Sequence, residues 1–252
     1  WAISVLVCGA FYQWHGLQLM APLAAVGILA MLLTLRGFDR ETHGTPDATH
    51  RIRDVAAAIR SSRSLGLWLG ALTLISIASQ GALAFVPLAI VDAGGGPWLL
   101  ALSASIGAII EIPIFAQSGR IASVLGLRSA FALGVLCQVV VVGSWVVITS
   151  AWGIALTKTI TGISFALAYS ATVVITSKLV PKAMRAAGQG LQSMTGALGP
   201  VIGAALGGIV FEALGSQALF LGAATMMFAG AALGFSALRD PGFASPKRAM
   251  AA

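Results

Sequence analysis

Charge is what this sequence has least of. Asp, Glu, Lys and Arg together make up 9% of its 252 residues, against roughly 25% in an average soluble domain, so the chain cannot clothe a soluble globule in solvated side chains. A hydrophobic share of 58%, with 30 glycines, instead points to a multi-span membrane protein. Acid is scarcer than base, with 8 Asp and Glu facing 15 Lys and Arg for a formal net charge of +7. In a soluble protein that excess would suggest nucleic acid; here the bias of basic residues toward cytoplasmic loops explains it, and no nucleic-acid partner is expected. Only 2 cysteines occur, and Cys8 and Cys137 lie in separate apolar runs, which suggests neither a disulfide framework nor a metal spacing. His15, His43 and His50 are isolated loop residues, so neither a metal nor a cofactor is expected. H-E-x-x-H, G-x-S-x-G and paired intramembrane aspartates are all missing, which argues against an intramembrane enzyme. The start shows no basic region and cleavage pattern of a secretory leader.

What is present is a series of apolar segments, approximately 1–14, 19–35, 67–91, 97–118, 129–149, 152–177, 188–211 and 217–238. The first falls short of the roughly twenty residues that a spanning helix needs, so further spans are expected before Trp1. Six of the Lys and Arg residues fall between Arg36 and Arg63, and all the others but Lys158 cluster at Arg120 and Arg128, at Lys178, Lys182 and Arg185, and in the tail. The intervening connections hold none. That alternation places the basic loops and the carboxyl terminus in the cytoplasm. The 36–66 connection reads as a linker between two bundles, and its 54–63 portion as a short amphipathic helix on the inner surface.

Two charges break this order. Lys158 lies inside the segment that follows Trp152, and a charge at the centre of a spanning helix costs roughly 2.5–3.5 kcal/mol on insertion scales, so such residues usually face protein or a watered cavity. Thr161, Phe165, Tyr169 and Thr172 follow it at helical spacing and make one polar and aromatic face. Snorkelling to the headgroups is the bland alternative. Glu111 is the second charge. It either carries protons and substrate, since a carboxyl in a low-dielectric site can exchange a proton near neutrality, or locks the inner end of its helix through backbone amides or Arg120. Counted from the outer ends, Glu111 and Lys158 sit about 20 and about 9 Å deep at 1.5 Å per residue, which disfavours a direct salt bridge. Gln80, with Thr73 and Ser76, and Gln192, with Thr195 and Gly199, supply neutral polar stripes that either orient a ligand or bond helix to helix. Pro87, Pro113 and Pro200 suit a bundle that bends.

An offset of 199 residues lays the first two segments on the last two, with Ile3, Gly9, Gly16 and Gln18 meeting Ile202, Gly208, Gly215 and Gln217. Both pairs enclose an outer loop, as in a parallel repeat. The basic connection GRIASVLGLRS resembles the G-x-x-x-D-R-x-G-R-R loop of the major facilitator superfamily. It keeps Gly119, Gly126 and Arg128 beside Arg120, while Ser123 and Val124 stand in for the Asp–Arg pair. LVPKAMRAAGQGLQS resembles the entrance to that superfamily's penultimate helix through Pro181, Arg185 and Gln189. AIIEIPIF, around Glu111, is similar to an element of bacterial sugar efflux transporters and of phenylpropionate and nucleoside permeases in the lactose-permease-like branch. Lys158 with Thr159 looks like that branch's lysine-bearing tenth helix, without its accompanying histidine and glutamate.

The resemblance implies an all-α major facilitator bundle showing about eight of twelve spans. In that frame 1–35 closes the first six-helix bundle, 36–66 is the cytoplasmic linker, 67–238 is the second bundle and 239–252 is a cytoplasmic tail. It implies a secondary transporter in the cell (inner) membrane, acting as a monomer by alternating access on a sugar or related small polar metabolite or drug, as a proton-coupled symporter or antiporter. Glu111, Lys158, Gln80, Phe165, Tyr169, Thr161 and Gln192 would carry substrate and coupling, and Gly119, Arg120, Gly126 and Arg128 would form a gating loop. A receptor or assembly protein built on the same bundle is the alternative.

Overall fold

The computed structural model describes residues 26–30, 32–33 and 62–238, which are helical apart from short turns. Among the described residues are five long helices: α1 (Arg63–Asp92), α2 (Pro97–Leu125), α3 (Leu127–Ser144), α4 (Ala151–Leu179) and α5 (Arg185–Ala237), with a 3₁₀ turn at Lys182–Met184 before the last. Each is long and apolar enough to cross a bilayer. The linker up to residue 61, most of the first two apolar segments and the tail lie outside the described residues, while 63–66, read from the sequence as the linker's end, form the first turn of α1.

Local chemistry sets the helix ends. The Ser62 hydroxyl accepts from the Leu65 amide at 3.3 Å and the Ser150 hydroxyl from the Gly153 amide at 3.1 Å, each satisfying an orphan donor of a first turn. Pro97 occupies the first turn of α2, where its missing N–H costs nothing. Pro181 follows the extended Val180 that ends α4. Two glycines reverse the chain. Gly126 (φ 79°, ψ 151°) is the entire turn between α2 and α3, and Gly215 (φ 82°, ψ 176°) breaks α5 into two arms. Those dihedrals lie in a region that only glycine occupies readily. The connection read from the sequence as a loop over 119–129 is therefore mostly helix, because no residue before Gly126 interrupts the α2 hydrogen-bond ladder.

Contact pairs give the relative directions. Gly107 meets Gly162 and Phe115 meets Phe165 and Tyr169, so α2 and α4 run parallel. Ser76 meets Gly199, Gly81 meets Gly203 and Phe85 meets Phe211, so α1 and the first arm of α5 are parallel as well. Helix α3 runs antiparallel to α4, through Gly134 against Ala168 and Trp145 against Thr157. The second arm of α5 runs antiparallel to α1 and α3, with Gly230 on Ile75 and Gly234 on Phe131.

Two apolar cores lie toward opposite ends of this bundle. One gathers Val86, Ile90, Val142, Trp145, Ile154 and Phe220; the other Trp68, Phe131, Ile175 and Leu238. Large apolar side chains also cover the outside, with Ile112 66% and Val140 71% exposed. A surface so apolar needs acyl chains as its solvent.

Candidate functional site

Between the two apolar cores, at the middle of the bundle, lies a cavity of about 280 Å³. It sits near the lower end of the roughly 300–1,000 Å³ typical of ligand pockets. Helices α1 to α4 wall it, and Met227 from the second arm of α5 closes one side. Its position follows from the glycine crossing of α2 on α4. A Cβ on Gly162 would run into the Gly107 carbonyl, and one on Gly107 would lie 3.3 Å from the Lys158 carbonyl oxygen, so the two backbones touch here.

That crossing sets the height of both charges. Gly107 comes level with the turn between Lys158 and Gly162, which places Glu111, one turn onward, near the level of Ser164. Six residues of α4 separate that level from Lys158, about 9 Å along the axis at roughly 1.5 Å per residue. Both side chains line the cavity. No ion pair with N···O within 4.0 Å joins them among the described residues. They are the two ionisable residues among those lining the cavity.

Gln80, Thr161 and Phe165 line the same cavity. Phe165 is 46% exposed and stacks on Tyr169 at 5.5 Å between ring centroids, with Phe115 edge-on to both. Tyr169 itself is not among the cavity's lining residues; it extends the aromatic wall one turn further along α4. Thr172, the last residue of that sequence-derived face, is buried and donates to the Ala168 carbonyl oxygen at 2.7 Å.

Gln192 lies elsewhere. It is 8% exposed and its Oε1 has no hydrogen-bond partner among the described residues, and neither it nor Thr195 lines the cavity. The glycine seam of α5 explains the placement. A Cβ on Gly199 would collide with Ser76 and one on Gly203 with the Ile77 carbonyl, so the stripe it belongs to is pressed toward α1. Nearby, Gln189 Nε2 donates to the Val173 carbonyl oxygen at 2.9 Å, tying the start of α5 to α4.

Of the residues assigned to a gating loop, Gly119 and Arg120 are exposed on the last turns of α2, and Gly126 is the turn itself. Arg128, on α3, sets its guanidinium 3.6 Å from the centroid of the Phe235 ring, a cation–π contact to the second arm of α5.

The sequence reading missed Gln138 and Ser164. Gln138, in the middle of α3, lines the cavity, and its Oε1 accepts from the Ser164 hydroxyl at 2.6 Å. A lone amide inside CQVVVV was the available signal, since such a group needs a partner in a bilayer. Ser79 is a further polar lining residue, its hydroxyl donating to the Ser76 carbonyl oxygen of its own helix at 3.3 Å. The hydroxyls are thus engaged, and the groups best placed for a ligand are the Gln80 and Gln138 amides, the Glu111 carboxylate and the Lys158 ammonium.

Helix α4, which bears most of the polar wall, is held near both ends. Trp145 Nε1 donates to Thr157 Oγ1 at 2.8 Å and Trp68 Nε1 to Thr176 Oγ1 at 3.0 Å, with the cavity residues between. A family model described as the MFS_1 like family matches residues 1–222. No curated protein matches the chain.

Proposed function

The chain belongs to the MFS_1 like family, a family of membrane transporters, and from that premise we propose that it is a secondary transporter that moves a small polar organic molecule by alternating access. The carrying observation is that Glu111 and Lys158 face one cavity at mid-depth, between two apolar cores. Intramembrane charges that face a shared cavity mark the pathways of substrates and ions. Glu111 is the group that takes up and releases a proton, and Lys158 supplies the fixed positive charge that attracts a polar substrate or the Glu111 carboxylate in turn. Gln80 and Gln138 orient the substrate by hydrogen bonds, and Phe165 packs against its apolar part.

On this reading the chain works as a monomer in the cell (inner) membrane. Its basic connections and carboxyl terminus are cytoplasmic, and the 67–238 bundle rocks against the bundle that 1–35 belongs to. Sugars and related metabolites are the first substrates to try. The test is flux of labelled sugars and small acids into vesicles containing the full-length protein, with and without a proton gradient. Glu111→Gln is expected to abolish gradient-driven accumulation, by tenfold or more. If the full-length protein changes no flux at all relative to empty vesicles, the reading fails.

A further inference from the structure

Two opposite charges share one small cavity without closing on each other, and that restricts what can fill it. We propose that the cavity takes a small zwitterion, its cationic group toward the Glu111 carboxylate and its anionic group toward the Lys158 ammonium. The inference rests on the transporter reading and names the substrate class of that same site.

A charge brought into a mid-membrane cavity interacts strongly, because little water screens it. A lone anion satisfies Lys158 but meets the like charge of Glu111, and a lone cation does the reverse. A neutral polyol hydrogen-bonds both groups and neutralises neither. A zwitterion is the class that matches both at once. The heights of the two residues add a spacing. About 9 Å separates the two backbone levels along α4, at roughly 1.5 Å per residue, so a short chain carrying a charge at each end is the form of zwitterion to test first. The rest of the lining is suited to that chain. Ile75, Leu83 and Val135 give it apolar wall, and the Gln80 and Gln138 amides give it a few hydrogen bonds. A volume of about 280 Å³ excludes anything large.

The experiment compares molecules that share a skeleton and differ in charge: 5-aminopentanoate, pentanoate and pentylamine, with glucose as a neutral polyol. Binding to the purified full-length protein is read from thermal stabilisation, and movement from counterflow in vesicles. 5-Aminopentanoate is expected to bind at least tenfold more tightly than either singly charged analogue. Glu111→Gln should abolish the preference over pentanoate, and Lys158→Gln the preference over pentylamine, each reducing the ratio to about one. Glu111→Gln keeps side-chain shape and Lys158→Gln keeps a polar end on a shorter stem, and a wild-type elution profile and melting temperature without ligand establish that the variants fold. Equal or tighter binding of pentanoate, pentylamine or glucose overturns the inference, as does a preference that survives Glu111→Gln, or no binding of 5-aminopentanoate at all. If glucose or pentanoate is carried instead, the transporter reading stands and the zwitterion fails. Tight 5-aminopentanoate binding without counterflow leaves the zwitterion site standing and sinks the transporter.

Discussion

Gly162 has no room for a methyl group. Its Cβ position is occupied by the Gly107 carbonyl, with the Gly107 Cα at 3.2 Å, and backbone at the contact between two long helices cannot step aside as a flexible side chain can. Overpacking of this kind costs about 1–3 kcal/mol, and here relief requires α2 and α4 to separate at the level that sets the heights of Glu111 and Lys158. Gly162→Ala is therefore expected to lower the melting temperature by several degrees and to weaken substrate exchange, with neither charge altered. A control at Gly190, where a Cβ meets nothing within 4 Å, should leave both unchanged. Wild-type exchange in Gly162→Ala would show that the crossing does not position the charges. Gln138 and Ser164 show the same dependence on neighbours: each is an ordinary buried polar residue alone, and their bond across α3 and α4 makes them a wall of the cavity. Interhelical bonds of this type contribute about 0.6 kcal/mol on average, so the pair's value lies in placing an amide, not in holding the bundle.

At the level of the elements, the glycine breaks decide how many times the chain crosses. Helix α5 runs from Arg185 to Ala237 as 53 residues, about 80 Å if straight at 1.5 Å per residue, far more than a hydrocarbon layer of about 30 Å. Gly215 folds it back, so that its arms pack on α1 in opposite directions. Since φ 82° with ψ 176° is strained for any residue with a Cβ, Gly215→Ala is expected to destabilise by about 1–3 kcal/mol although a Cβ there would touch nothing. The measurement is the midpoint of thermal unfolding against Gly222→Ala, a glycine in the same helix that also faces open space without a positive φ. An equal midpoint for both would mean that the reversal is imposed by packing of the arms, independent of the residue at the break. The two Trp–Thr bonds on α4 act at this scale too, fixing that helix against α1 and α3 on either side of its polar stretch.

At the scale of the whole bundle, the described residues form an apolar outer surface around apolar cores with a polar layer between the two larger ones, and the sequence disclosed those parts unevenly. The apolar segments from residue 67 to 238 all fall within the helices or their end turns, because length and hydropathy are local properties. Lys158 and Glu111 were legible for the same reason, each being a charge where its own helix offers no local partner. Gln192 was not, because its face of α5 meets α1 or the cavity according to where Gly199 and Gly203 seat the helix, which is a tertiary fact. The same argument covers Gln138, whose direction depends on α3 packing antiparallel to α4. Lipid on one side and water on the other then make neighbouring residues of α2 behave differently. Ala108 lines the cavity, whereas Ile109 is 50% exposed on the outer surface. In a variant with every native cysteine replaced by serine, Ala108→Cys is expected to react with a charged, water-soluble thiol reagent at least tenfold faster than Ile109→Cys, since only a thiol in contact with water ionises to the reactive thiolate. A bound substrate should slow the first and leave the second alone. Equal rates at the two positions would place water all around α2 and remove the membrane frame; no reaction at either would mean that the cavity between the cores is dry, and that no hydrophilic molecule passes through it.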